Sequence, residues 1–195
     1  MCFPKYTYLN TSDIISNALS FENPCVIKIN ETQWRMYFDV LFYDNKNKNF
    51  YKKIYKADTL NFHDWTDFQE IILKEHNNTI LNSITPFVYL NDNNQYELYV
   101  SNKMGTEQIN TIKCFISNDG INFNYNMNIT NESDGYYNAY SPCLIQTDEN
   151  KKKLFFTYKN NSNNEIIVSL EQYKLNNQWY WRNQPYDGNS SRFMI

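Results

Sequence analysis

The 195-residue sequence predicts an all-β fold made of three copies of a four-stranded antiparallel unit. Three observations predict it. One segment recurs three times without a gap, short runs are rich in aromatic and β-branched residues, and Asn/Asp-rich turns separate those runs.

The recurring segment opens at Pro24, Pro86 and Pro142. Twelve residues after each proline stands Met36, Leu98 or Leu154; the next position holds Tyr37, Tyr99 or Phe155, and the one after it Phe38, Val100 or Phe156. The match persists downstream, where Phe62, Phe123 and Trp179 fall 38, 37 and 37 residues after their prolines. The second copy shows the four strands best, at residues 87–90, 96–100, 111–117 and 122–126, with Asn91-Asp92-Asn93-Asn94 as its first turn. The prolines are expected just before each first strand, where a missing N–H breaks no ladder bond. In the first copy, residues 64–75 offer a short helical pattern, but a turn at Asp64-Trp65-Thr66-Asp67 leading into a strand over 68–73 fits better.

A unit of about 50 residues that cannot bury its apolar faces alone must stack on its neighbours, which is the pattern of a β-propeller. The expected architecture is a β-propeller of four-stranded antiparallel blades, with three complete blades plus terminal strands. This partial or small propeller forms one domain over residues 1–195, with repeats at approximately 22–75, 84–130 and 140–182. Residues 1–20 and 183–195 either combine into a composite fourth blade, or the chain is part of a larger ring. Self-association or a longer parent chain would complete such a ring.

Composition narrows the function. Aromatic residues make up 17% of the chain, which supplies enough apolar surface to offset ordering entropy. Asn occupies 32 positions and Gly only 4, so Asn does the turn work that Gly usually does. The net charge is −3 and the longest basic run is Lys151-Lys152-Lys153, read as a solvated hairpin, so no nucleic-acid partner is expected. No apolar stretch approaches the length of a membrane span, and residues 1–6 lack the pattern of a signal peptide, so a cytoplasmic location is expected. Cys2, Cys25, Cys114 and Cys143 form no CxxC pair and lie far in sequence from His63 and His76. They read as free thiols, with no metal site and no cofactor expected.

The turn Ser117-Asn118-Asp119-Gly120-Ile121-Asn122-Phe123 resembles the S-x-D-G-x-x-W/F turn of five-bladed β-propeller glycosidases. These are the arabinanase/xylosidase and invertase types and the related glycan phosphorylases. Lys56-Ala57-Asp58-Thr59-Leu60-Asn61-Phe62 is a variant of that turn. The blade openings Asn23-Pro24, Thr85-Pro86 and Ser141-Pro142 resemble that group's x-P-x-V/I starts. The turn itself reads as structural: Asp119 accepts backbone N–H groups, Gly120 permits positive φ, and the aromatic residue packs between blades.

The resemblance implies a carbohydrate-active domain that binds, and as an enzyme hydrolyses, a glycan or oligosaccharide at the end where the blades start. Cleavage there needs two carboxylates flanking the scissile bond. Glu22, in Glu22-Asn23-Pro24, resembles the general-acid glutamate of the E-x-P start, yet no Asp-Pro step supplies a base. Asp39 and Asp134 are the other candidate acids, each read first as a solvated turn residue. Asn23, Thr85, Asn138, Tyr140, Ser141 and Tyr158 are the candidate substrate-binding residues. The alternative is a non-catalytic propeller module that binds a glycan or a protein.

Overall fold

The computed structural model describes residues 14–75, 78–79, 83–104, 109–130, 138–159, 164–175 and 178–181. Fourteen strands form among them, in three sheets. The first contains β1 (Ser20–Lys28), β2 (Trp34–Asp44), β3 (Asn49–Thr59) and β4 (Thr66–Glu70), in sequence order and antiparallel. The second contains β5 (Ile72–Glu75), β6 (Asn78–Thr79), β7 (Ser83–Leu90), β8 (Tyr96–Met104), β9 (Ile109–Ser117) and β10 (Asn122–Asn128). Its order is β6-β5-β10-β9-β8-β7, and β5 runs parallel to β10. The third contains β11 (Ala139–Asp148), β12 (Lys151–Lys159), β13 (Glu165–Leu175) and β14 (Gln178–Trp181), again in sequence order. Each sheet thus holds a four-stranded meander, the arrangement of a propeller blade.

The chain crosses from the first sheet to the second at a single residue. Ile71 donates its N–H to Ile54 O at 3.0 Å, and Ile72 donates to Ile121 O at 2.8 Å. Buried Ile71 and Leu73 follow the crossing into the core between the two sheets. The strand expected over 68–73 is therefore two strands in different sheets, and residues 64–75 are not helical.

Alternation along the central strands fills both seams. In β8, Leu98 and Val100 face the first sheet, where they meet Tyr37 and Ile54; Tyr99 faces the third sheet, where it meets Leu154 and Phe156. A side-chain period of two makes each middle blade two-faced, and burying both faces is what stacks the sheets. The outer face of the first sheet, carrying Phe38, Val40 and Phe42, is covered by Ile15 and Ala18.

Three sequence expectations need correction. The prolines do not precede the first strands; Pro24, Pro86 and Pro142 lie inside β1, β7 and β11. They are tolerated there because the ladder shifts register at each one, between Glu22 and Cys25, Ile84 and Phe87, and Tyr140 and Cys143. An extra residue at a bulge leaves the ladder, so a missing N–H costs no bond. Lys152 is not part of a solvated turn: its side chain is fully buried, with Nζ 4.4 Å from the centroid of the Tyr89 ring. A tyrosine face can receive an ammonium that has left water. Phe62, finally, does not pack between blades; it is exposed and lies against Trp34 at a centroid distance of 4.3 Å, the rings tilted by 44°.

The Asp119 turn forms as expected. Asp119 Oδ1 accepts from the N–H groups of Ile121 and Asn122, both at 2.8 Å, and Gly120 has φ +72°. Phe123 is fully buried and meets the Tyr37 ring edge-on at 6.2 Å across the first seam.

Candidate functional site

The residues before the three prolines share one unusual conformation. Asn23, Thr85 and Ser141 have φ of +52°, +53° and +54°. A residue before proline ordinarily takes extended backbone, and a β-branched residue such as Thr85 is seldom found at positive φ. Strain of this kind persists only where the surroundings over-determine it, and it concentrates at functional sites. Here the determinants are the bulges and a run of hydrogen bonds that links one blade start to the next.

That run begins on the face of the first sheet turned toward the second. Glu22 pairs with Asp39 across β1 and β2, and Asp39 pairs with Ile54 across β2 and β3. Ser20, Leu41 and Lys52 make the adjacent row. Directly opposed residues share a face, so Glu22, Asp39, Ser20 and Lys52 converge. Lys52 Nζ lies 2.5 Å from Glu22 Oε2 and 3.8 Å from Asp39 Oδ2. Ser20 Oγ donates to Glu22 Oε1 at 2.7 Å.

Asp39 is wholly buried, which corrects its reading as a solvated turn acid. Its Oδ2 accepts from Asn23 Nδ2 at 2.8 Å and from the Thr85 backbone N–H at 3.0 Å. Its Oδ1 is buried without a hydrogen-bond partner among the described residues. Thr85 carries the run onward: its Oγ1 lies 2.8 Å from Ser101 Oγ and accepts from the Ser141 N–H at 3.3 Å. Ser101 occupies in the second blade the position that Asp39 holds in the first, fifteen residues after the proline.

The two carboxyls are pushed in opposite directions. The hydrogen bond from Lys52, with that from Ser20, holds Glu22 below the usual carboxylate range. Burial pushes Asp39 upward, against the bonds from Thr85 and Asn23 and the charge of Lys52. Desolvation disfavours the charged form, while a nearby cation favours it. Glu22 therefore stands as an ionised partner of Lys52, the opposite of what a general acid requires.

The remaining candidates divide. Glu22, Asn23, Asp39, Thr85 and Ser141 are brought together. Tyr140, next to Ser141 in β11, pairs with Thr157 instead, and its phenol is pushed up to about 12 by burial and by the Glu165 carboxylate to which it is hydrogen-bonded. Asn138, at φ +55°, accepts from the Lys159 N–H at 3.3 Å through its backbone carbonyl. Tyr158 packs against the core between the second and third sheets. Asp134 lies outside the described residues. Sequence reasoning missed Lys52, Ser20 and Ser101. Counting from the prolines finds Ser101; Lys52 and Ser20 emerge only from the cross-strand register.

No family model matches the chain, and no curated protein matches it. Solved structures do match in fold. A Bombyx mori GH32 β-fructofuranosidase superposes with a TM-score of 0.59 at 8% identity, over 84% of this chain and 36% of that one. A Bacillus halodurans xylan β-1,4-xylosidase gives 0.55 at 10% identity, over 85% and 31%. A Xanthomonas citri GH43 enzyme in complex with xylose gives 0.51 at 10% identity, over 70% and 39%. The chain thus spans about a third of the length of these proteins. It has the propeller fold of the GH32 and GH43 glycosidases, in partial form.

Proposed function

We propose that the corner formed by Glu22, Asn23, Thr85 and Ser141 binds a glycan and does not hydrolyse it. The observation that carries this reading is that one ammonium, Lys52 Nζ, engages both the Glu22 carboxylate of the corner and the Asp39 carboxylate beneath it. Glycoside cleavage needs one carboxyl to donate a proton and the other to activate water or attack, with the sugar between them. In this chain the lysine stands between them instead. Glu22 is held ionised, and Asp39 Oδ2 is occupied by Asn23 and Thr85.

What remains accessible suits recognition. Asn23 and Ser141 are exposed, Thr85 and Tyr140 half-buried. Amide and hydroxyl groups match the hydroxyls of a sugar, and a tyrosine ring offers an apolar face beside them. The fold supports the same substrate class, since the Xanthomonas enzyme was solved with xylose and a variant of the Bombyx enzyme with sucrose. Fold alone does not fix function, so the reading rests on the site.

The test is an array of immobilised glycans probed with the chain, paired with aryl glycosides as turnover reporters. Binding to a restricted set of glycans is expected, with no release of the aryl group. Asn23→Ala with Ser141→Ala should weaken that binding about tenfold or more, as loss of two hydrogen bonds would. Failure to bind any glycan overturns the proposal.

A further inference from the structure

The three blades present the same positions to whatever follows them, and only the third has no blade following it among the described residues. One residue after each proline stand Cys25, Phe87 and Cys143; three after stand Ile27, Tyr89 and Ile145; thirteen after stand Tyr37, Tyr99 and Phe155. In the first blade, Cys25, Ile27 and Tyr37 pack into the seam with the second. In the second, Phe87, Tyr89 and Tyr99 pack into the seam with the third. In the third blade, Cys143 and Ile145 are exposed, Ile145 by 50%, and Phe155 is half-buried.

The register sets these residues on one face. Cys143 pairs with Phe155 and Phe155 with Ser169, Ile145 with Lys153 and Lys153 with Glu171, and Thr157 with Ile167. Ile167 is 53% exposed, and at the far end Leu175 is 56% exposed. Lys153 Nζ and Glu171 Oε1 lie 3.4 Å apart in the middle of the face. A shallow hollow of about 260 Å³, lined by Lys151, Glu171, Gln172 and Tyr173, adjoins it.

We infer that this face is a dimer interface, on which a second copy of the chain docks its own third sheet about a two-fold axis. Three arguments select the second copy. At the opposite end of the stack the apolar centre, Phe38, Val40 and Phe42, is covered by Ile15 and Ala18, so head-to-tail growth lacks its matching surface there and a self-complementary contact is the closed solution. The Lys153–Glu171 pair makes the face electrostatically neutral at its centre, so a two-fold sets each cation against the other copy's anion. The area suffices: strands of 10, 9, 11 and 4 residues, at ~3.3 Å per residue and ~4.8 Å apart, give about 540 Å² per protomer and about 1,100 Å² in the pair, just above the ~1,000 Å² that a specific interface needs.

Sedimentation velocity of the full chain over a concentration series is the experiment, run on wild type, Ile145→Glu with Ile167→Glu, and Phe50→Glu. Phe50 is 65% exposed on the first sheet, far in the stack from this face, and serves as the control. The expected result is a monomer–dimer equilibrium for wild type and Phe50→Glu, and a dissociation constant raised at least tenfold in the double variant. Circular dichroism confirms that each variant is folded. A wild type that stays monomeric at every concentration overturns the inference and leaves the face to another occupant. So does a dimer that survives the double variant or is lost in Phe50→Glu. None of these outcomes bears on glycan binding.

Discussion

Thr85 donates its backbone N–H to Asp39 Oδ2 at 3.0 Å, across the seam between the first two sheets. The bond ties the strained start of one blade to the buried second strand of the blade before it. Asp39 also holds Asn23, the strained start of its own blade, at 2.8 Å. One carboxylate thus fixes two left-handed residues that lie 62 positions apart in sequence.

Asp39→Ala should destabilise the chain by about 1–3 kcal/mol, because it removes the shared acceptor of two part-buried hydrogen bonds, from Asn23 and Thr85. Asp39→Asn keeps an acceptor oxygen and should lose less. The sign of its pH dependence follows from the raised folded pKa. The penalty for ionising Asp39 is absent below its unfolded value of 3.8, grows as pH rises, and is complete above the folded pKa. Relative to wild type, Asp39→Asn should therefore gain stability as pH rises from 3.8 upward. Urea melts at several pH values read this difference.

Glu22 behaves in the opposite sense. Its folded pKa lies below 4.5, so the stabilisation from Lys52 and Ser20 is fully present above 4.5 and is lost as pH falls through the folded value. The pair is partly exposed and should contribute no more than about 1 kcal/mol. Lys52→Ala should move the Glu22 midpoint up toward the ordinary carboxylate range, read by carboxyl carbon NMR. An unchanged midpoint would remove the lysine from the account.

Thr85→Val keeps the shape of the side chain and removes its hydroxyl, leaving Ser101 Oγ and the Ser141 N–H without that partner. A loss of about 1–2 kcal/mol is expected in denaturant melts. Thr85→Ser retains the hydroxyl and should stay close to wild type.

Gly120→Ala tests the seam from the other side. A Cβ at Gly120 would stand 2.5 Å from Arg35 Nη1 and 2.6 Å from Tyr37 Oη, at a φ of +72°. The buried tyrosine cannot swing aside without giving up its bond to Gly120 O at 3.0 Å. Strain and overpacking together should cost about 2–4 kcal/mol, visible as a fall in the unfolding midpoint.

The blades were legible in the sequence because each carries its own copy of one pattern: a proline, then an apolar triplet twelve residues on. The Asp119 turn was legible because its bonds are local. The bulges were not, since a proline inside a strand reads like a proline before one until the partner strand is seen. Lys152 read as solvent-facing because the Tyr89 ring that receives it comes from a different blade. The site was half legible. Glu22 and Asn23 stood out beside Pro24, while Lys52 joins them only through the β2–β3 register, which turned the expected acid into an anchored carboxylate.

Whether the corner binds a sugar and leaves it whole is best decided by titrating a glycan into isotopically labelled protein, then analysing the glycan after prolonged incubation. Saturable shifts of the Asn23, Thr85 and Ser141 amides, with the glycan recovered intact, are the predicted result. Shortened glycan whose appearance is abolished by Glu22→Gln would contradict the account, since it would require Glu22 to deliver the proton that Lys52 is said to withhold.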